Sequence, residues 1–155
     1  MSEAFVLETA IDRLEFDRET GRLVSLRRRN AADGNLLTPD PAHPVFALQV
    51  LTEDRDVLCL DASSARRTAL TCATDPAGKV LSLTFSGVGG LDLDVLLSVT
   101  ASTNDAFSRW NCTLRNGAGV RVVDIQFPVV VVPATGAVVL PAGHGGDGTD
   151  HDGQG

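Results

Sequence analysis

Leu91-Asp92-Leu93-Asp94-Val95-Leu96-Leu97-Ser98-Val99-Thr100 places Leu91, Leu93, Val95, Leu97 and Val99 on one parity and Asp92, Asp94, Ser98 and Thr100 on the other. Successive side chains of a strand point to opposite faces, so this alternation makes one apolar and one polar face. An α-helix, at about 3.6 residues per turn, would scatter the same residues around its axis. The stretch predicts a half-buried strand. Leu81, Leu83 and Phe85, alternating with Ser82 and Thr84, predict another of the same kind.

The pattern continues outward in both directions. Downstream, Trp110, Cys112 and Leu114 oppose Arg109, Asn111, Thr113 and Arg115, and Asn116-Gly117-Ala118-Gly119 then turns the chain into Arg121-Val122-Val123. That order predicts a hairpin. Val123, Ile125 and Phe127 share a parity before Pro128, and the β-branched run from Val129 to Val132 suits a strand better than a helix. Upstream, Leu14 and Phe16 alternate with Arg13, Glu15 and Asp17; Glu19-Thr20-Gly21 supplies a turn, and Leu23-Val24-Ser25-Leu26 returns towards Arg27-Arg28-Arg29. This predicts an earlier hairpin whose arginines form a solvated strand end. The Asn30 to Asn35 stretch reads as a turn, and Pro39, Pro41 and Pro44 keep the next segment irregular. Val45 to Leu51 is apolar on both parities apart from Gln49, which predicts a strand covered on two faces.

No segment carries the amphipathic period of a helix. Roughly eight to ten short strands separated by Gly, Asn, Asp and Pro turns, without alternating helices, predict an all-β, antiparallel β-sandwich with little or no helix, a closed barrel being the alternative architecture. Residues 1–140 form the sandwich domain on this reading. Residues 141–155, rich in Gly, Asp and His, form a flexible tail.

The chain has 155 residues, enough for one core and short of the ~250 of a complete (β/α)8 barrel. Its 20 acidic and 13 basic residues give a net charge of -7, which disfavours nucleic acid as a partner because that affinity rests on Lys and Arg neutralising phosphates. No apolar run approaches the ~18 residues of a membrane span. Met1-Ser2-Glu3-Ala4 has neither a basic n-region nor a long apolar h-region, which leads to an expectation of cytoplasmic location. Cys59, Cys72 and Cys112 are widely spaced and contain no CxxC pair, so they are expected to be buried free thiols.

Candidates for chemistry are few. Asp92 and Asp94 share a strand face, as a glycosidase pair could, but the pattern is equally that of a solvated strand and no second cluster completes a site. His43, between Ala42 and Pro44, is the one histidine ahead of the tail and the one candidate acid or base for an epimerase. Gly87-Val88-Gly89-Gly90 lacks the following helix that phosphate binding requires. In the tail, His144, Asp147, Asp150, His151 and Asp152 have suitable metal-ligand types without a metal-ligand spacing. Trp110 shares a face with Cys112 and Leu114 and is assigned to the core, inside the sandwich and opposite strands such as Leu93 to Val99, rather than to a sugar platform. Asn111-Cys112-Thr113 matches the glycosylation acceptor pattern by chance. The expectation is therefore no catalytic, cofactor-binding or metal-binding residue and no cofactor.

The order Leu14-Glu15-Phe16-Asp17, Thr20-Gly21-Arg22-Leu23-Val24-Ser25-Leu26, Gly34-Asn35-Leu36-Leu37 and Pro44-Val45-Phe46-Ala47-Leu48 is followed by Arg109-Trp110-Asn111-Cys112-Thr113-Leu114-Arg115-Asn116 and Val123-Asp124-Ile125-Gln126-Phe127-Pro128. Together these resemble the galactose-mutarotase-like β-supersandwich at the N-terminus of several bacterial glycoside hydrolases, over residues about 12 to 140. The resemblance implies a non-catalytic accessory or structural domain of a carbohydrate-active protein, with a carbohydrate or a catalytic (β/α)8 domain as partner, and a chain that is a fragment or a reduced stand-alone form. It carries over no catalytic residue. Two other classes stay open: a small sugar-active enzyme of the epimerase or mutarotase type, and a protein-interaction module.

Overall fold

The computed structural model describes residues 3–32, 34–38, 40 and 43–133. Ten strands follow one another among them: β1 (Phe5–Glu8), β2 (Asp12–Phe16), β3 (Leu23–Arg28), β4 (Ala47–Leu51), β5 (Val57–Asp61), β6 (Arg67–Asp75), β7 (Gly78–Ser86), β8 (Leu93–Ala101), β9 (Arg109–Asn116) and β10 (Arg121–Gln126). Two 3-10 turns, Ala62–Ser64 and Val88–Gly90, are the only helical residues described. Every strand pair is antiparallel. The chain is an all-β antiparallel sandwich. No helix among the described residues is long and apolar enough to cross a membrane.

One layer is the four-stranded sheet β6-β7-β8-β9; against it pack two three-stranded sheets, β1-β2-β3 and β10-β4-β5. The period-two residues build the interface between layers. Leu81, Leu83 and Phe85 of β7 and Leu93, Val95, Leu97 and Val99 of β8 are buried, and they meet Leu7, Leu14 and Phe16 on one side and Phe46, Leu48 and Val50 on the other. Phe46 sits edge-on to Phe85 at 5.0 Å, which joins the β4 sheet to the centre of the larger one. At about 25 cal/mol per Å² of apolar surface removed from water, this shared seam is the main source of stability. Ser82, Thr84, Ser98 and Thr100 face outward from the same strands.

Several expectations change. The Asn116–Gly119 turn does not close a hairpin. β9 pairs with β8, whereas β10 crosses to the other layer and pairs with β4. Gly turns serve hairpins and layer-crossing arches alike, and the partner is chosen by β4, whose Leu48 and Val50 pair with Ile125 and Val122. β4 is covered on one face only: it begins at Ala47, and Gln49 is exposed between buried Leu48 and Val50. Val45 and Phe46, whose apolar side chains suggested a two-sided strand, are buried but precede it. Val129 to Val132 forms no strand, although Val129 N–H donates to Val45 O at 3.1 Å and Thr38 N–H to Val131 O at 2.9 Å. No cysteine is fully buried; Cys59 is exposed, and Cys72 and Cys112 are half-buried. Residues 134–155, including the tail and its His144, Asp147, Asp150, His151 and Asp152, lie outside the described residues, as do Pro39 and Pro41.

Candidate functional site

The β2–β3 turn is built around Asp17. Its Oδ1 accepts the Thr20 N–H at 2.7 Å, the Thr20 hydroxyl at 2.8 Å and the Glu19 N–H at 3.0 Å. Burial pushes the Asp17 carboxyl up, but these hydrogen bonds together with the charge of Arg22 outweigh it and hold the group below its ordinary value. Gly21 closes the turn at φ 70°, where a Cβ would come within 3.0 Å of Leu83 Cδ2. Arg22 is then fixed by two bonds, from its Nε to Thr20 Oγ1 at 3.2 Å and from its NH1 to Asp40 O at 2.8 Å.

Facing this turn is the β5–β6 junction. Asp61 caps the 3-10 turn by accepting the Ser63 N–H at 2.8 Å and the Ser63 hydroxyl, while the Ser64 hydroxyl donates to Asp61 O at 2.7 Å. Ser64 Oγ in turn accepts the Gly89 N–H at 3.2 Å, tying the junction to the β7–β8 connection.

Between turn and junction lies a cleft of about 470 Å³, lined by Glu19, Thr20, Arg22, Asp61, Ser63 and Thr68 over Val45, Ala62, Ala65 and Phe85. The volume falls in the range of small-molecule sites, as does the plan of a few polar groups over an apolar floor. Glu19 and Thr68 are exposed and offer an acceptor and a hydroxyl to a ligand rich in hydroxyl groups, whereas Arg22, Asp61, Thr20 and Ser63 are held by hydrogen bonds that shape the walls of the cleft. A second recess of about 410 Å³ at the opposite end of β6 and β7 is lined by Val6, Glu8, Arg13, Lys79 and Ser102. Its charges are already engaged: Arg13 with Glu15 at 2.9 Å and Glu8 at 3.6 Å, and Lys79 Nζ with Val6 O at 2.7 Å.

The residues weighed from sequence stand elsewhere. Asp94 Oδ1 accepts the Gly87 N–H at 3.1 Å and Asp92 O accepts the Gly117 N–H at 2.8 Å, so both brace turns. His43 is exposed, with Nδ1 at 3.0 Å from Asp40 Oδ2, beside a recess of only about 20 Å³. Arg27, Arg28 and Arg29 are exposed, with Arg27 Nε on Ser25 Oγ and Arg29 NH1 on Thr9 O. Trp110 is half-buried, not enclosed, and lies beside β8 in the same sheet; its ring meets Phe16 of the other layer at 5.6 Å and Phe127 at 5.8 Å, and its Nε1 donates to Ser108. Among the described residues no group of His, Cys, Asp and Glu has the arrangement of a metal site.

The sequence reading took Glu19-Thr20-Gly21 as a turn only and passed over Asp61-Ala62-Ser63-Ser64. The latter's Asp and Ser spacing is the one signal that marks a capped, ordered junction. Neither a protein-family model nor a curated protein matches the chain.

Proposed function

We propose that this chain is a non-catalytic accessory β-sandwich of a carbohydrate-active protein, and that it holds a sugar in the cleft between the β2–β3 turn and the β5–β6 junction. The observation that carries the reading is the convergence of Glu19, Arg22, Asp61, Ser63 and Thr68 over the Val45 and Phe85 floor. A sugar ring presents hydroxyls around its rim and C–H groups on its faces; Glu19 and Thr68 suit the first, and the partly exposed Ala62 and Ala65 methyls, above buried Val45 and Phe85, suit the second. The order of hairpin motifs that resembles mutarotase-like hydrolase domains supports the same class. Binding rather than catalysis is favoured because Asp61 is engaged as a cap acceptor, Glu19 is exposed, and among the described residues no histidine lines the cleft.

Calorimetry with galactose, glucose, xylose and their linear oligomers tests this. At least one should bind the parent, and Glu19→Ala and Thr68→Ala, both at exposed positions, should each weaken it about five- to tenfold, the effect of one or two hydrogen bonds to ligand. Binding that both variants leave unchanged would remove the cleft from the account.

A docking role is favoured by a separate observation. Val123, Ile125, Val130 and Val132, on β10 and the segment after it, are each 41% to 51% exposed, which suits a side of the sandwich that receives a neighbouring catalytic domain.

A further inference from the structure

A strand at the edge of a sheet presents unpaired backbone groups, and proteins blunt such edges with short strands, central charges, prolines, bulges or covering loops. Most edges here are blunted in one of these ways. β1 has four residues and β5 five. β3 has its backbone engaged by the loop beside it, through Leu26 N–H to Asn35 Oδ1, Asn35 Nδ2 to Val24 O and Leu36 N–H to Leu26 O. β10 is bulged between Val122 and Asp124, and β9 carries Arg109 and Arg115 near its two ends, which would oppose like charges if a copy of the strand were laid antiparallel on it in that register.

Among the described residues β6 has none of these features. It is nine residues long, pairs residue for residue with β7 without a shift, contains no proline, and holds its only charges, Arg67 and Asp75, at its two ends. Thr68, Ala69, Thr71, Ala73 and Thr74 are exposed. The sequence Arg67-Thr68-Ala69-Leu70-Thr71-Cys72-Ala73-Thr74-Asp75 is also self-complementary about Thr71. Laid antiparallel on a copy of itself, it opposes Arg67 to Asp75, Thr68 to Thr74, Ala69 to Ala73 and Leu70 to Cys72, with Thr71 facing itself.

We propose that β6 is a dimerisation edge, which pairs with β6 of a second copy about a two-fold axis at Thr71 to make one continuous eight-stranded sheet. Charge complementarity argues for a second copy as the occupant. Arg67 and Asp75 share a face with Ala69, Thr71 and Ala73, so each end of the joint places an arginine opposite a carboxylate on the same side of the sheet. Neither residue takes part in an ion pair within the chain among the described residues. Leu70 and Cys72, half-buried on the core side, meet their counterparts beneath the joint and extend the apolar seam. A slip of one residue would turn these two outward, and any other in-phase register loses both charge pairs, so one register is specified. The arrangement is isologous and closes at two copies. It rests on the β6 edge and not on the sugar reading, although Thr68 of that edge also lines the cleft.

Sedimentation velocity of the full chain over a concentration series tests the proposal. The parent should pass from monomer to dimer. Arg67→Asp and Asp75→Arg should each raise the dissociation constant about tenfold by opposing like charges at both ends of the joint, and the double variant Arg67→Asp/Asp75→Arg should return it to the parent value. Thr71→Lys, which sets two ammonium groups face to face on the axis, should leave only monomer. Hydrogen exchange of the parent needs no variant: amides of residues 68–74 should gain protection as concentration rises. A parent that is monomeric throughout, a dimer indifferent to the charge changes, assemblies that grow beyond two, or β6 exchange independent of concentration would each overturn the proposal.

Discussion

Trp110 shows how far a single side chain can be read from parity. Its alternation with Asn111 and its company with Cys112 and Leu114 put it on the core side of its strand, and there the ring closes the seam between layers by touching Phe16 and Phe127. What parity could not give is depth: Trp110 lies on an edge strand beside β8 rather than across from it, so part of the indole stays in contact with solvent. Trp110→Ala should therefore cost about 2 to 3 kcal/mol, below the ~3 to 5 of a fully enclosed aromatic, and the denaturant midpoint of the purified variant measures it. A midpoint equal to that of the parent would contradict the packing. Asp17 makes a separate statement about pH. Its carboxyl is held below its ordinary value in the fold, so it binds a proton more readily in the unfolded chain. Its contribution is complete above the unfolded value of about 3.9 and is lost as pH falls through the lower, folded value. Asp17→Asn should be less stable than the parent at neutral pH, and the gap in urea midpoint should narrow as pH falls below the unfolded value of about 3.9. A gap that persisted at low pH would show that the side chain acts through shape and not charge.

Elements were legible in proportion to their apolar alternation. β7 and β8 each carry at least three large apolar residues on one parity, and both form the half-buried strands read from it, at the centre of the larger sheet. β1, β5 and β6 were not recognised, and β5 is only five residues long. β1 is four residues long, too short for a period to register, and β6 offers Thr and Ala on its outer face with only Leu70 and Cys72 beneath. The same plainness that hid β6 from the pattern makes it an unguarded edge. Connections were the least legible part, because Asn116-Gly117-Ala118-Gly119 has the composition of a hairpin and serves as an arch between layers. The cleft was hidden for a related reason: its polar residues come from a turn and a junction about forty positions apart, and no local spacing joins them. The β6–β7 turn is more constrained. Gly78 sits at φ 136°, and a Cβ there would approach Ala101 O to 2.4 Å, so Gly78→Ala must move backbone. A loss of about 2 kcal/mol or more in thermal or chemical denaturation is expected, and a neutral outcome would mean that the turn can re-form around a side chain.

At the scale of the whole molecule, one seam holds two small sheets against a larger one, and the surfaces left over have different characters. The cleft at one end gathers carboxylates, a guanidinium and hydroxyls over an apolar floor; the outward face of β7 and β8 carries Ser82, Thr84, Ser98 and Thr100 beside Val80, Asp94 and Leu96; the β6 edge is self-complementary. Pairing through β6 would leave the Glu19 and Arg22 wall of the cleft on a different element but would take Thr68 into the joint opposite Thr74 of the second copy, so the dimer keeps the turn wall of each cleft and constrains the other. The central claim is that the cleft, and not the flat sheet face, receives the sugar. A titration of the isotope-labelled chain with galactose, glucose, xylose and their linear oligomers, followed by amide chemical shifts, tests it most directly. The account predicts saturable shifts confined to residues 19–22, 61–65 and 68, whereas the absence of shifts with every sugar, or shifts centred on Ser82, Thr84, Ser98 and Thr113 of the outer face, would contradict it.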